Sequence, residues 1–213
     1  MIVLIGGEKG GSGKSTTATN LAVALAQARQ DVLIVDADAQ GTAARWCERR
    51  TENPERPTVN CVQRTGEGLY QALNDLATRY SEIIVDAGGR DSPELRAAMT
   101  ACDRMYVPVR PSQADLETLS HVDELLTLAR SIRPDNGPAA YAMLSMAPTH
   151  HLVSEADMAR AYLTEHTNLD LADAVMKDRK VYRDALIDGL GVLELDNETA
   201  KSEVQAFAEE VYG

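Results

Sequence analysis

The chain has 213 residues, of which 44% are hydrophobic and 25% charged, and its formal net charge is −12. That length suits a single α/β domain, 1–213, with a full core, and the composition disfavours disorder. The acid excess speaks against broad nucleic-acid binding, so any DNA contact has to come from a local basic patch, and no apolar stretch approaches the length of a membrane span.

The chain runs directly from a strand into a loop without a basic leader, so no signal peptide is expected and the protein reads as cytoplasmic. Cys47, Cys61 and Cys102 stand far apart in sequence without C-x-x-C spacing and read as ordinary reduced thiols.

Ile2–Ile5 is too short for a helix and rich in β-branched residues, which predicts a buried strand. Glu8-Lys9-Gly10-Gly11-Ser12-Gly13-Lys14-Ser15-Thr16 follows, and then a helical period over Thr16–Arg29 with Leu21, Ala22, Leu25 and Ala28. Strand, glycine-rich loop and helix form the build of a phosphate-binding loop. Glycines turn backbone N–H groups toward one point, and the helix adds its positive end. Gly10, Gly11, Ser12, Gly13, Lys14, Ser15 and Thr16 are the expected nucleotide contacts. Lys14 reaches the β- and γ-phosphates, and the Ser15 hydroxyl ligates Mg²⁺. Glu8 stands where G-x-x-x-x-G-K-[ST] has its first glycine, and Lys9 adds a second lysine early in the loop.

Val32–Val35 predicts a second buried strand, so the first crossover makes a βαβ unit in a parallel sheet. It ends in Asp36-Ala37-Asp38-Ala39-Gln40-Gly41, with two carboxylates at the carboxyl end of a strand, where ligand chemistry sits in open parallel sheets. Helix capping by Asp38 is the alternative there. A short helix over 42–50 places Trp46 and Cys47 in the core, 51–57 is a loop, 58–63 a short strand and 66–79 a helix. Tyr80–Asp86 is an apolar strand closing on a carboxylate, the place for a magnesium-holding aspartate. Gly88-Gly89-Arg90 follows, with Arg90 either on phosphate, on a partner, or solvated.

The remaining expected elements are a helix over Pro93–Thr100, a strand over Arg104–Val109, a long helix over Asp115–Arg133 and a strand over Ala139–Met146. His150-His151 reads as surface loop. A helix over Ser154–Glu165 capped by Ser154 comes next, then a last strand over Leu169–Met176. Helices over Tyr182–Asp188 and Glu198–Tyr212 close the chain. Together these make a mostly parallel twisted sheet flanked by helices. Lys177, Arg179, Lys180 and Arg183 form the densest basic cluster, either the solvated start of a helix or a contact for DNA phosphates.

The form K-G-G-x-G-K-[ST] at 9–15 resembles the deviant Walker A box of the ParA/MinD ATPases. Residues 36–41 resemble that family's D-x-D-P-Q-G switch, with Ala39 in place of proline, and 80–86 its Walker B strand. Gly88-Gly89 stand where prolines are frequent, and Pro108-Val109-Arg110-Pro111 resembles a segment placed near the nucleotide and the dimer face. The resemblance implies a P-loop ATPase with ATP and Mg²⁺ as ligands, the metal held by Ser15, Asp38 and Asp86. It implies that Lys9, Lys14 and Asp38 serve catalysis, with Asp38 on the attacking water, and that Met176 lies near the base. It implies an ATP-dependent homodimer in which Lys9 reaches the partner's nucleotide, non-specific DNA as a track, and a small ParB-like adaptor that stimulates hydrolysis. The short length leaves no room for an N-terminal DNA-binding domain, so the small plasmid-partition type is the expected function, nucleoid-associated. A positioning ATPase for another cargo is the alternative, and a metabolic ligase or kinase a more distant one. The short acidic C-terminal end disfavours a membrane track.

Overall fold

The computed structural model describes residues 1–133, 137–149, 152–164 and 168–213, with backbone alone over 152–156. His150 and His151 lie outside the described residues. The sheet contains β1 (Ile2–Ile5), β2 (Val32–Asp36), β3 (Asn60–Gln63), β4 (Glu82–Asp86), β5 (Arg104–Val109), β6 (Ala139–Ala147) and β7 (Asp170–Leu171), in the order β3-β2-β4-β1-β5-β6-β7. A further short strand, β8 (Met176–Lys177), pairs with β6. Every pairing is parallel.

A parallel sheet needs a crossover between strands, and these crossovers cover both faces. One face carries α1 (Lys14–Gln27), α2 (Thr42–Thr51), α8 (Lys180–Ile187) and α9 (Glu198–Tyr212). The other carries α3 (Leu69–Ala77), α4 (Pro93–Ala101), α5 (Gln113–Leu116), α6 (Thr118–Ile132) and α7 (Leu152–Leu163). The strands divide their side chains between the two cores by the two-residue period. Ile2, Leu4, Leu33, Val35, Ile83 and Val85 join the second set of helices. Val3, Ile5, Ile34 and Ile84 join the first, with Trp46, Tyr106 and Phe207.

β1 lies between β4 and β5, and the β1-to-β2 and β4-to-β5 crossovers run in opposite directions along the sheet, which opens a crevice at the carboxyl end of β1. Register then aligns the chemistry: Ile5 stands opposite Asp86, and Asp86 opposite Asp36.

Three expected elements differ from the structure. The strand over Leu169–Met176 is two separate pieces, β7 and β8. Between them Ala172 and Ala174 turn into the core, and the Ala174 N–H donates to Glu210 Oε2 on α9 at 2.7 Å instead of to a neighbouring strand. The long helix over Asp115–Arg133 is α5 plus α6, and it starts earlier because the Ser112 side chain caps it at the Asp115 N–H. Ser154 lies inside α7, which begins at Leu152, so it is not that helix's cap. The Cys47 thiol on α2 donates to Val59 O at 3.4 Å, and all three cysteines are free thiols.

Candidate functional site

The loop after β1 is folded by glycine. Gly11 and Gly13 have φ of +70° and +92°, and a methyl group at Gly13 would come within 2.7 Å of Ser145 Oγ. Gly13 is also the cap residue of α1, so the loop feeds directly into the helix that carries Lys14, Ser15 and Thr16. Gly10, Gly11, Gly13, Lys14, Ser15 and Thr16 line a cleft of about 750 Å³. Ser12 is buried and holds the loop from inside, its hydroxyl donating to Lys9 O at 3.3 Å. Lys14 is also buried, its Nζ donating to the same carbonyl at 2.6 Å. Burial holds the Lys14 ammonium below its usual pKa, while the negative charges of Asp86 and Asp38 pull it back up. Lys9 points differently: its Nζ lies 3.4 Å from Asp115 Oδ1, a carboxylate that is almost fully buried at the start of α5. Arg110 donates to Gly11 O at 2.7 Å and braces the loop from the end of β5.

The two strand-end aspartates divide the work. Asp36 is a brace: Oδ1 accepts from the Asp38 N–H at 3.0 Å and Oδ2 from the Ala44 N–H at 2.8 Å. Asp38 is on the cleft side, with Oδ1 accepting from the Gln40 N–H at 2.9 Å and its backbone carbonyl held by Gln63 Nε2 at 3.1 Å. Asp38 therefore closes a local turn and lines the cleft, but it does not cap the following helix: the cap residue of α2 is Gly41, and Asp38 Oδ1 is taken by the Gln40 N–H in the turn before it.

Asp86 is fully buried, and burial pushes its carboxyl up to about 7, against a hydrogen bond with Ser15 that pulls it down. Its Oδ2 has no partner. A buried carboxylate oxygen with nothing to bind is costly unless a cation takes it. Ser15 and Asp86 touch, Asp38 faces the same cleft, and all offer oxygen, the donor set Mg²⁺ prefers. These residues fit a magnesium ion.

The glycine pair after β4 explains its own departure from proline. A methyl group at Gly88 would come within 3.1 Å of the Asp38 carboxylate, and one at Gly89 within 2.8 Å of Gly10 N and 2.9 Å of Lys14 Nζ. Only glycine lets this segment lie on the phosphate loop. Arg90 is exposed and lines the cleft.

Met176 is buried, and its thioether accepts from the Thr17 hydroxyl at 3.4 Å. It lines a side hollow of about 50 Å³ with Gly13, Thr16 and Met146. Met146 was not singled out by the sequence. Its φ of +53° goes with the register shift between Ser145 and Ala147, where β6 leaves one partner strand for another.

The basic cluster lies at the start of α8, with Arg179 as its cap residue, and the side chains of Arg179, Lys180 and Arg183 are paired with carboxylates. Arg179 forks onto Glu203 Oε1 at 2.8 and 2.9 Å, Lys180 holds Asp184 at 2.6 and 2.7 Å, and Arg183 holds Asp178 at 2.5 Å. The Lys177 N–H donates to Glu203 Oε2 at 3.2 Å. Lys177, Arg179, Lys180 and Arg183 thus sit among three carboxylates, two of them brought in by α8 itself and by the turn before it. The charge reversals Arg179→Glu and Lys180→Glu would break these pairs as well as remove positive charge.

Among the described residues no helix is long and apolar enough to cross a membrane.

Residues 1–144 match the sequence profile of a family described as ATPase MipZ. A protein of Gloeobacter kilaueensis, maintenance of carboxysome distribution protein A, is 33% identical over 201 residues, covering 94% of this chain and 87% of that one. Its namesake from Halothiobacillus neapolitanus is 28% identical over 212 residues, covering 95% of this chain and 92% of the other. Among solved structures, apo McdA of Cyanothece superposes with a TM-score of 0.75 at 16% identity, covering 99% of this chain and 98% of that chain, a likeness of fold.

Proposed function

Because the chain belongs to the ParA/MinD family of ATPases, matching its MipZ profile over residues 1–144, we propose that it is an ATP-driven dimerisation switch that spaces a cargo within the cell. The single observation that carries the switch reading is Lys9. It is a second lysine on the phosphate loop, yet it is turned away from the cleft and held by Asp115. Lys14 serves the subunit's own nucleotide, and Lys9 is left for the nucleotide of a second copy.

The protein's residues then act as follows. The backbone N–H groups of 10–16 hold the phosphates, and Lys14 neutralises their charge. Ser15 and Asp86 would hold Mg²⁺, which would supply charge neutralisation to the nucleotide's phosphates. Asp38 orients the attacking water and accepts its proton. Met176 and Met146 wall the side where the base lies. When two subunits meet, Lys9 exchanges Asp115 for the partner's phosphates, so the pairing is favourable only with ATP present. An adaptor on the cargo stimulates weak basal hydrolysis, and the dimer separates.

The cargo reading rests on the relatives named for carboxysome distribution, which match most of this chain. The sequence alone put partition of plasmid or chromosomal DNA first and cargo positioning second, and those relatives reverse the order. Non-specific DNA remains the proposed track. With the 177–183 cluster largely compensated, DNA retention needs the doubled surface of the dimer.

Dimerisation tests the switch. Lys9→Ala should stay monomeric in ATP by light scattering, its dimer weakened about tenfold to a hundredfold from loss of a desolvated charge contact. A variant that dimerises and hydrolyses like wild type would remove the basis for the reading.

A further inference from the structure

His121 on α6 stands among carboxylates from three separate segments. Its Nε2 is 3.3 Å from Glu8 Oε1, at the entrance to the phosphate loop, and 3.5 Å from Asp91 Oδ2, just after the glycine pair. Its Nδ1 is 3.2 Å from Glu124 Oε2 on its own helix. Asp91 is itself forked onto Arg96 of α4 at 2.7 and 2.5 Å. Glu8, Asp91, Glu124 and, through Asp91, Arg96 are therefore the charged groups around this imidazole.

What the cluster ties together gives it meaning. Glu8 and Asp91 flank the place where Gly89 lies on the phosphate loop. A methyl group at Gly89 would be 2.8 Å from Gly10 N, so the Gly89 backbone stands too close for a phosphate group to fit between it and the Gly10 N–H. On the phosphate-loop reading, a diphosphate held by Gly11 to Thr16 would not need that space, whereas a terminal phosphate would.

We propose that His121 is a positioning residue for the terminal phosphate: as an imidazolium it clasps Glu8 to Asp91 and keeps the glycine pair closed on the loop, so that it opposes ATP but not ADP. The Glu124 hydrogen bond, followed by the charges of Glu8 and Asp91, holds the His121 pKa above that of free histidine. The sign follows: the clasp is strongest at low pH and loosens as pH rises through that raised value. Each contact is partly exposed, so the effect is modest. The inference rests on the phosphate-loop reading but not on any particular cargo.

The test is the ratio of affinities for a non-hydrolysable ATP analogue and for ADP, both with Mg²⁺, titrated by calorimetry from about pH 6 to 9. Wild type, His121→Gln and His121→Lys are compared. The analogue's own terminal phosphate titrates in the same window, but equally in all three proteins. In wild type the ratio should rise with pH by about threefold to tenfold more than in either variant. His121→Gln should sit at the high-pH level throughout, and His121→Lys, with its permanent charge, at the low-pH level. If His121→Gln keeps the wild-type pH dependence, or the lysine and glutamine variants coincide, the clasp is wrong. If wild type fails to bind ADP at all, the phosphate-loop reading fails instead.

Discussion

Asp38→Ala is expected to bind Mg²⁺–ATP and to dimerise while turnover falls by about a hundredfold to ten-thousandfold, the usual contribution of a positioned acid–base group. The side chain reaches the cleft from a turn that other residues hold. The backbone of 36–41 is fixed by Asp36, by Gln63 and by the Gly41 N–H donating to Asp38 O at 2.9 Å. Truncating Asp38 removes one acceptor, that for the Gln40 N–H, and leaves the rest in place. Phosphate release under saturating ATP and size-exclusion chromatography in ATP separate the two effects. A variant that hydrolyses ATP at nearly the wild-type rate would move the catalytic role elsewhere in the cleft. One that no longer binds ATP would make Asp38 structural.

Asp86→Asn should change stability and ligand binding in opposite directions. In the metal-free protein it removes the negative charge of a buried carboxyl whose Oδ2 has no partner, which should stabilise the fold by about 1–3 kcal/mol and raise the melting temperature by roughly 2–10 °C. The pH dependence has a definite sign. The native carboxyl titrates at about 7 and an unfolded one at about 3.9, so the folded state binds more protons between these values and the wild-type protein loses stability as pH rises through them. The gain from asparagine should therefore be largest above neutral pH and vanish in acid. With Mg²⁺–ATP added the order reverses, because the amide holds the ion poorly and several kcal/mol of charge stabilisation are lost. Thermal melts with and without Mg²⁺–ATP measure both. Equal ligand-induced shifts in the two proteins would show that Asp86 is not on the ion.

The parts of this site that could be read in the sequence are those made by short, contiguous chain. Loop 9–16, the Asp36–Gly41 turn and the Ile83–Asp86 strand each carry their geometry in the local order of residue types. Glycine spacing sets backbone shape, and a β-branched run sets a strand whose last residue faces the crevice. The hidden parts are contacts between distant segments. Asp115 looked like one more acid at a helix start, and only the fold brings it to Lys9 across 106 positions. The Glu8–His121–Asp91 cluster likewise joins three segments that no spacing connects. Gly88 and Gly89 were legible as an exception without a reason, and the reason is the Asp38 carboxylate and the Gly10 backbone against which they lie. The broken strand after Leu169 misled because an alanine-rich apolar run looks the same whether its N–H groups meet a strand or a carboxylate on α9.

The way α9 closes the molecule bears on the order of synthesis. The helix carrying Lys14 is walled by α9 and the segment before it: Val204, Phe207 and Val211 pack in its core, Asn20 accepts from the Val192 N–H at 2.8 Å, and Arg104 holds Val211 O at 2.6 Å. A chain emerging from the ribosome thus displays its phosphate loop well before the wall behind it. Until Glu198–Tyr212 has left the exit tunnel, α1 has an open apolar flank and no firm seat. Nascent chains arrested before Glu198 should be cut readily by protease near α1, and the released full chain should resist. The phosphate loop therefore gains its full backing only once α9 has docked, well after the loop itself has been made.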